Sequence, residues 1–326
     1  MKKVPVGDGS LKITPLAFES LGVRGMATYV ETEDLKIIID PGSALGPRFN
    51  LQPHEREYAA LFESRERILD AAEEADYLSI SHYHFDHFIP NFENWKYIWS
   101  SQEMAEDLYR DKVIFAKDIS ENINASQRKR GYMFRKKNLD ISEEIIPADD
   151  YEFEKDETFL KFSTPVYHGP EETKLGYSLI TTVKTSESTF VHAPDVQGPM
   201  YKESLDYLLS QEPDLLIVGG PPSYIDFKLD EEDLESSKKN LETLVREVPK
   251  LVVDHHLLRD IDYEDFLEPV KIAAEDSGNR LMVASEIMGE PPELLEARRK
   301  QLHEEEPMDD EWYEDLGEKE SSKEKN

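Results

Sequence analysis

The chain predicts a mixed α/β fold, and three features of its 326 residues lead there. Short apolar runs bounded by glycine, proline and aspartate fall in two clusters, as buried strands do. Stretches with helical periodicity lie between and after them. Histidines and aspartates stand at the ends of apolar runs in both clusters, where α/β proteins commonly build sites.

In the first half, Leu11–Phe18 and Met26–Glu31 read as strands, with Gly22 and Gly25 as turn signals between them. Residues 35–40 form a third strand closing in Asp40-Pro41-Gly42, although an aspartate before proline is also a common turn initiator. Residues 53–75 are helical, with Tyr58, Leu61, Phe62, Ile68, Leu69 and Ala72 as an apolar stripe and Glu and Arg on the other face. Residues 75–80 are a buried strand. Phe88, Phe92, Trp95, Tyr97 and Trp99 follow, and read as core and pocket wall rather than as a stacking platform for bases.

Residues 119–139 form a basic insert in an acidic chain. Six cations and no acid lie between Gln127 and Lys137, interleaved with Tyr132 and Phe134. That pattern suits phosphate neutralisation and stacking; the competing reading is a solvated helix paired with the acidic surface. In the second half, residues 158–163 are a strand leading to His168. Residues 177–183 and 189–192 form a hairpin, and Asp195 follows it. His192 reads as core or as a support beside the site. Residues 202–210 and 235–248 are helical, and 215–218 and 251–253 are buried strands. The first of these strands ends in Gly219-Gly220, which permits close backbone approach. The second delivers Asp254-His255-His256 and Arg259. A helix over 262–276, a strand over 281–284 and a helix over 291–303 close the fold. Residues 304–326 hold eleven acids against three lysines, and predict a disordered acidic tail.

Composition sets further bounds. With no cysteine, disulfides, a thiol nucleophile and thiolate ligation are excluded, leaving nitrogen and oxygen ligands. No run approaches the roughly 18–20 apolar residues of a membrane span. The first residues carry charge but no apolar signal core, so the expected location is the cytoplasm. A net charge of −32 repels polyanions at long range. It would also suit a high-salt cytoplasm, although lysines (24) outnumber arginines (14) here and salt-adapted surfaces avoid lysine. Oligomeric state is not set by any of these features.

The chemistry concentrates in Ser81-His82-Tyr83-His84-Phe85-Asp86-His87-Phe88, three histidines and a carboxylate within six residues. Imidazole and carboxylate are the usual ligands of zinc and similar cations. Structural histidines at this density would repel once protonated and resist burial. On an extended segment His82 and His84 point to one side, while Asp86 and His87 lie past the turn and can serve a second ion.

The pattern His-x-His-x-Asp-His resembles the metallo-β-lactamase superfamily, and further marks of that superfamily follow in order from Asp40 to His256. In detail the chain is most similar to a mainly archaeal branch of metal-dependent hydrolases. The resemblance implies an α/β fold of the four-layer αββα kind, two sheets face to face with helices outside, over residues 1–303. It implies a site of two divalent metal ions. His82, His84 and His168 would hold the first, Asp86, His87 and His255 the second, and Asp195 would bridge them. A Thr-His-x-x-x-Arg pattern of tRNase Z-like members aligns with His255 and Arg259, leaving His256 as the alternative ligand. Asp40 and Asp86 are the carboxylates assigned to the chemistry, Asp40 as a brace and Asp86 as a ligand. Zinc is the default ion; manganese and iron fit the same donors.

A water shared by two such cations ionises near neutral pH and would attack an ester, lactone or phosphodiester centre. The leaving group would take a proton from the spare member of the His255-His256 pair, or from Tyr83 or Tyr167. A small-molecule substrate is the expected partner. The alternative is a nuclease using the basic segment 128–137 on RNA or DNA; a second is a non-catalytic metal-binding protein. A di-iron redox reading is remote, since the redox members carry a flavin domain for which no room follows His256.

Overall fold

The computed structural model describes residues 2–308, with the side chains of 226–228 left out of account. The first sheet contains β1 (Val4–Val6), β2 (Leu11–Phe18), β3 (Met26–Glu31), β4 (Lys36–Ile39), β5 (Tyr77–Ile80), β6 (Val113–Ala116) and β7 (Glu144–Pro147), side by side in chain order. After β8 (Glu152–Lys155) and β9 (Thr158–Phe162), β10 (Val166–Tyr167) and β11 (Tyr177–Ser178) pair as a separate ribbon. They are followed by β12 (Thr181–Lys184), β13 (Thr189–Ala193), β14 (Leu215–Gly219), β15 (Lys250–Asp254) and β16 (Arg280–Met282). The second sheet runs β16-β15-β14-β13-β12-β9-β8.

Both sheets switch from antiparallel to parallel pairing. In the first, β1 to β4 are antiparallel neighbours and β4 to β7 are parallel. In the second, β8, β9, β12 and β13 are antiparallel, and β13 to β16 are parallel. Parallel strands need crossovers, and helices supply them: α1 (Glu55–Glu74) between β4 and β5, α2 (Gln102–Tyr109) between β5 and β6, and α3 (Ala125–Asn138) between β6 and β7. In the second half α4 (Lys202–Ser210), α5 (Glu231–Glu247) and α6 (Tyr263–Ser277) do the same, and α7 (Ala284–Met288) and α8 (Arg299–Glu305) follow β16.

Alternation along the strands separates the layers. Ile37 and Ile39 of β4 pack with Ile217 of β14 and Val252 of β15 in a core between the sheets, while Ile38 turns to Leu61 and Ile68 of α1. Leu216, Val218, Leu251 and Val253 face the opposite way, onto Leu241 and Leu244 of α5 and Val270 of α6. Two helix-facing cores and one inter-sheet core make four layers, αββα, as the fold class required.

Four sequence expectations need correction. Phe62 lies outside the buried stripe of α1, exposed and edge-on to Trp99 at 4.0 Å between ring centres. The helix expected over 291–303 is only α8, because the chain after Pro291-Pro292 is held against the first sheet's end instead: Glu293 bridges to Leu21 and its N donates to Ser20 O at 2.8 Å. Ala284 leaves the expected strand to begin α7. The boundary at 303 falls inside α8: Glu306 O binds His54 Nε2 at 2.9 Å and Met308 contacts the first residue of α1. The rest of the expected tail, 309–326, lies outside the described residues. No helix among the described residues is long and apolar enough to cross a membrane.

Candidate metal centre

Because the parallel strands of both sheets end on the same side, their exits converge. Asp40 leaves β4, His82 leaves β5, Asp195 follows β13, and His255 follows β15. Three of these four hold left-handed backbone, with φ of 50° at Asp40, 56° at Asp195 and 64° at His255. A non-glycine residue in that region costs about 1 kcal/mol or more, and such strain persists only where the surroundings enforce it. Close backbone approach permits the convergence. A Cβ on Gly42 would lie 2.2 Å from Phe88 N, and one on Gly219 would lie 2.8 Å from Asp195 N.

Six of the nine histidines gather here, around Asp195. Oδ2 of Asp195 lies 2.8 Å from His87 Nε2 and 3.5 Å from His82 Nε2. Oδ1 lies 3.0 Å from His168 Nε2 and 3.4 Å from Nε2 of both His255 and His256. His84 completes the set through its Nδ1, 3.1 Å from His82 Nε2. Asp86 stands at the edge, 4.0 Å from His87 Nε2 and 3.9 Å from His255 Nε2. The donor atoms fall into clusters close enough to share an ion: His82, His84 and His168; Asp86, His87 and His255; and Asp195 with His255 and His256.

The orientation of the rings is imposed from behind. Asp40 Oδ2 accepts from His87 Nδ1 at 2.8 Å and from Ser81 Oγ at 2.6 Å, while its Oδ1 accepts from Ser81 N at 2.7 Å. Glu19, just past β2, accepts from His255 Nδ1 at 2.8 Å and from Arg259 Nε at 2.7 Å. A carboxylate on Nδ1 fixes the tautomer and leaves Nε2 as a lone pair facing inward. Asp254 in turn anchors the turn, accepting from His255 N at 2.7 Å and from Ala284 N at 3.0 Å.

Several inward atoms have no hydrogen-bond partner although they are buried: Nε2 of His87, His168 and His255, and both oxygens of Asp195. Buried polar atoms are ordinarily paired. Unpaired acceptors and lone pairs aimed at one another are the arrangement that cations satisfy, so the residues fit a metal centre.

Electrostatics agree. Burial opposes the charged form of the rings here, and it prevails at His82, at His256 and at His84, whose pKa falls to about 3. It is outweighed at His87 by Asp195 and Asp40, which hold that ring well above its ordinary value. At His255, Glu19 and Asp195 outweigh it and lift the pKa to about 9. Burial pushes the Asp195 carboxyl up, but the surrounding histidines, led by His168 and His87, hold it well below the usual range. Without a cation, protons on His87 and His255 neutralise the carboxylates; a metal replaces them.

The structure separates the candidate proton donors. Tyr83 points away from the cluster, donating to Lys117 O at 2.7 Å and packing on Phe88 and Phe134, so it is not placed to reach a leaving group. Tyr167 stacks on Tyr177 in the β10–β11 ribbon, with ring centres 5.0 Å apart. His256 faces Asp195, and its Nδ1 has no partner. His192 is core, bonded to Met26 O at 2.8 Å. Glu19 was not singled out from the sequence: it is one carboxylate among 70 acids, and only its lodging behind His255 marks it.

The segment expected as a basic insert is α3, the crossover helix between β6 and β7 and so an integral part of the first sheet's layer, and it lies against the histidine loop. Its buried residues Gln127, Gly131, Phe134 and Asn138 follow helical spacing. Phe134 packs on Phe88 and Tyr83, and Gly131 lies directly over the Tyr83 ring. None of its six cations makes an ion pair among the described residues, so the helix is not held by the acidic surface.

An αββα sandwich with a His-x-His-x-Asp-His loop at the parallel strand ends, its rings closed around an aspartate from the other sheet, is a metallo-β-lactamase-like fold carrying a metal-ligand cluster. No family model matches the chain. It is 45% identical over 298 residues to a UPF0282 protein of Methanopyrus kandleri, covering 91% of this chain and 100% of that one. It is 40% identical over 294 residues to a UPF0282 protein of Methanocaldococcus jannaschii, covering 90% and 96%. The chain belongs to the UPF0282 family. Among solved structures it is similar to unliganded yeast PDE1, with 14% identity, a TM-score of 0.48, and coverage of 85% of this chain and 97% of that one. It is also similar to a metal-dependent hydrolase of the beta-lactamase superfamily, with 12% identity, a TM-score of 0.47, and coverage of 84% and 95%. These superpositions are loose, and the fold rests on the layers described above.

Proposed function

We propose that this protein is a two-metal hydrolase acting on an ester, lactone or phosphodiester bond of a small substrate. The observation that carries the reading is the Asp195 carboxylate, buried with both oxygens unpaired and met by five histidine nitrogens within 3.5 Å. In this reading His82, His84 and His168 would hold one ion and Asp86, His87 and His255 the other, with the Asp195 carboxylate between the two sets. Zinc suits the donors, and manganese or iron would also. Divalent cations bound there supply an ionised water near neutral pH and stabilise the oxygen charge that develops in hydrolysis.

The protein's own residues do the rest. Asp40 and Glu19 hold protons on the Nδ1 atoms of His87 and His255, so that Nε2 stays available. Arg259, hydrogen-bonded to Glu19 and 3.6 Å from Asp86, holds both carboxylates in place. His256 lies at the same carboxylate without a carboxylate behind it, and starting neutral it would take the proton lost by the attacking water and relay it to the departing oxygen. Elemental analysis of the purified protein, followed by an ester, lactone and phosphodiester panel with and without chelator, tests the proposal. About two ions per chain and chelator-sensitive turnover are expected. Full metal loading with no turnover across the panel would leave a metal-binding protein.

A nuclease is the second reading, favoured by the six cations of α3, none of which makes an ion pair among the described residues. It predicts salt-sensitive cleavage of RNA or DNA.

A further inference from the structure

Beside the metal loop lies a pocket of about 440 Å³, within the size range of small-ligand sites. Its walls are apolar: Phe85 and Phe88 from the histidine loop, Phe92 beyond it, and Met133 and Phe134 from α3. Its charged lining consists of Lys129, Arg130 and Lys137, and no carboxylate lines it, in a chain with 70 acids. Phe92 and Met133 are 44% and 42% exposed, so the mouth offers uncovered apolar surface.

The pocket adjoins the cluster through shared residues. Phe85 sits between His84 and Asp86. Arg130 stands at the boundary, its guanidinium 4.6 Å from the centre of the Phe85 ring and donating to Tyr83 O at 3.1 Å. Arg130 is thereby pre-organised at the loop with Asp86 near enough to act on its charge but not in an ion pair with it, and Lys129 and Lys137 make no ion pair among the described residues. A cation left unpaired beside an apolar floor recognises an anion carried on an apolar body. A polynucleotide backbone would use the cations but not the closed aromatic floor.

We infer that this pocket binds the non-reacting part of the substrate, a small amphiphilic anion whose ring or short chain rests on Phe85, Phe88 and Phe134 and whose charge meets Arg130, Lys129 and Lys137. The inference rests on the hydrolase reading for the word substrate, but binding itself does not depend on turnover. The test is calorimetric titration of the metal-loaded full chain with naphthalene-1-sulfonate, a probe that nothing in a hydrolytic site can cleave. Naphthalene-1-methanol supplies the same rings without charge, and sodium sulfate the charge without rings. Each should bind at least about tenfold more weakly than the probe. Lys129→Gln/Lys137→Gln, both on exposed positions, and Arg130→Gln should each weaken the probe about tenfold, the size of a lost charge-assisted hydrogen bond, with metal content unchanged. Asp195→Ala should lose metal and keep the probe.

Equal probe affinity in the glutamine variants would overturn the inference, as would sulfate binding as tightly as the probe. So would a uridine decamer that binds more tightly than the probe and displaces it, since that outcome makes the face a nucleic-acid surface. If esters are turned over while the probe fails to bind, the pocket inference falls alone. If the probe binds while no substrate of the panel is hydrolysed, the hydrolase reading falls alone.

Discussion

Glu19 holds His255 Nδ1 at 2.8 Å across 236 positions of chain, and this contact repeats what Asp40 does for His87 at the same distance. Two carboxylates from the first sheet thus set one ring on each sheet's side of the cluster. Removing the carboxylate should cost cation affinity, since the ring would lose its tautomer, and fold stability as well, since buried Arg259 would lose the partner of its guanidinium. For Glu19→Ala we expect a loss of about 10–100-fold in affinity at the ion assigned to His255, with Glu19→Gln intermediate. Titration against a competing chelator measures it; unchanged affinity in Glu19→Ala would remove Glu19 from the support of the centre.

The two neighbouring histidines should separate cleanly. His255 is anchored by Glu19 and fully buried, whereas the His256 side chain is 13% exposed and its Nδ1 is unpartnered. His255→Ala should lose one ion per chain. His256→Ala should keep both and lower turnover. Asp195→Ala should lose at least one. The reverse pattern for the two histidines, read by elemental analysis, would make His256 the ligand.

Stability of the metal-free protein should fall as pH rises from about 6.5 to 9. His255 has a folded-state pKa raised to about 9 against an ordinary value of 6.5. A raised histidine contributes stability that is fully present below the unfolded value and is lost as pH climbs through the folded one, here on the order of 3 kcal/mol. Metal-loaded protein should not show this loss, because the cation replaces the proton, and binding should release protons. Thermal melts of chelator-treated protein across that window test it, and a melting temperature that stays flat or rises would contradict the assignment.

Gly42 is the tightest backbone contact at the centre. A Cβ there would meet Phe88 N at 2.2 Å and His87 C at 2.5 Å, backbone atoms that cannot swing aside. Gly42→Ala should therefore displace the histidine loop, costing roughly 2–4 kcal/mol and lowering cation affinity together. Chemical denaturation with parallel metal titration would show both. Loss of neither would mean that the loop relaxes freely.

The outward cations of α3 separate the two substrate readings. Arg128 and Lys136 are exposed and do not line the pocket. If polynucleotides bind along the helix, Arg128→Gln/Lys136→Gln should weaken oligonucleotide binding and flatten its salt slope by one or two phosphate contacts, each worth roughly one unit of that slope. The small-substrate reading expects no change in turnover. Cleavage of RNA lost in this variant would favour the nuclease.

Much of this protein was legible along the chain because the relevant signals are local. The run from His82 to His87 concentrates donors within one loop, and no long-range information is needed to see it. Strands such as β4 and β14 declare themselves by unbroken apolar stretches, since burial on both faces leaves no place for a polar residue. Helix α2 and the strands β7 and β8 went unseen because half-exposed elements carry mixed composition, and β6 because its four residues are too short a run, though buried; the helix expected over 291–303 failed where Glu293 pairs with Ser20 and Leu21 instead. What only the tertiary structure decided is how distant residues meet. Glu19 behind His255, Gly42 against Phe88, and α3 packed on the histidine loop are contacts between segments far apart in sequence. Sequence spacing encodes the faces of helices and strands; which faces meet depends on how two sheets stack and where their parallel ends converge.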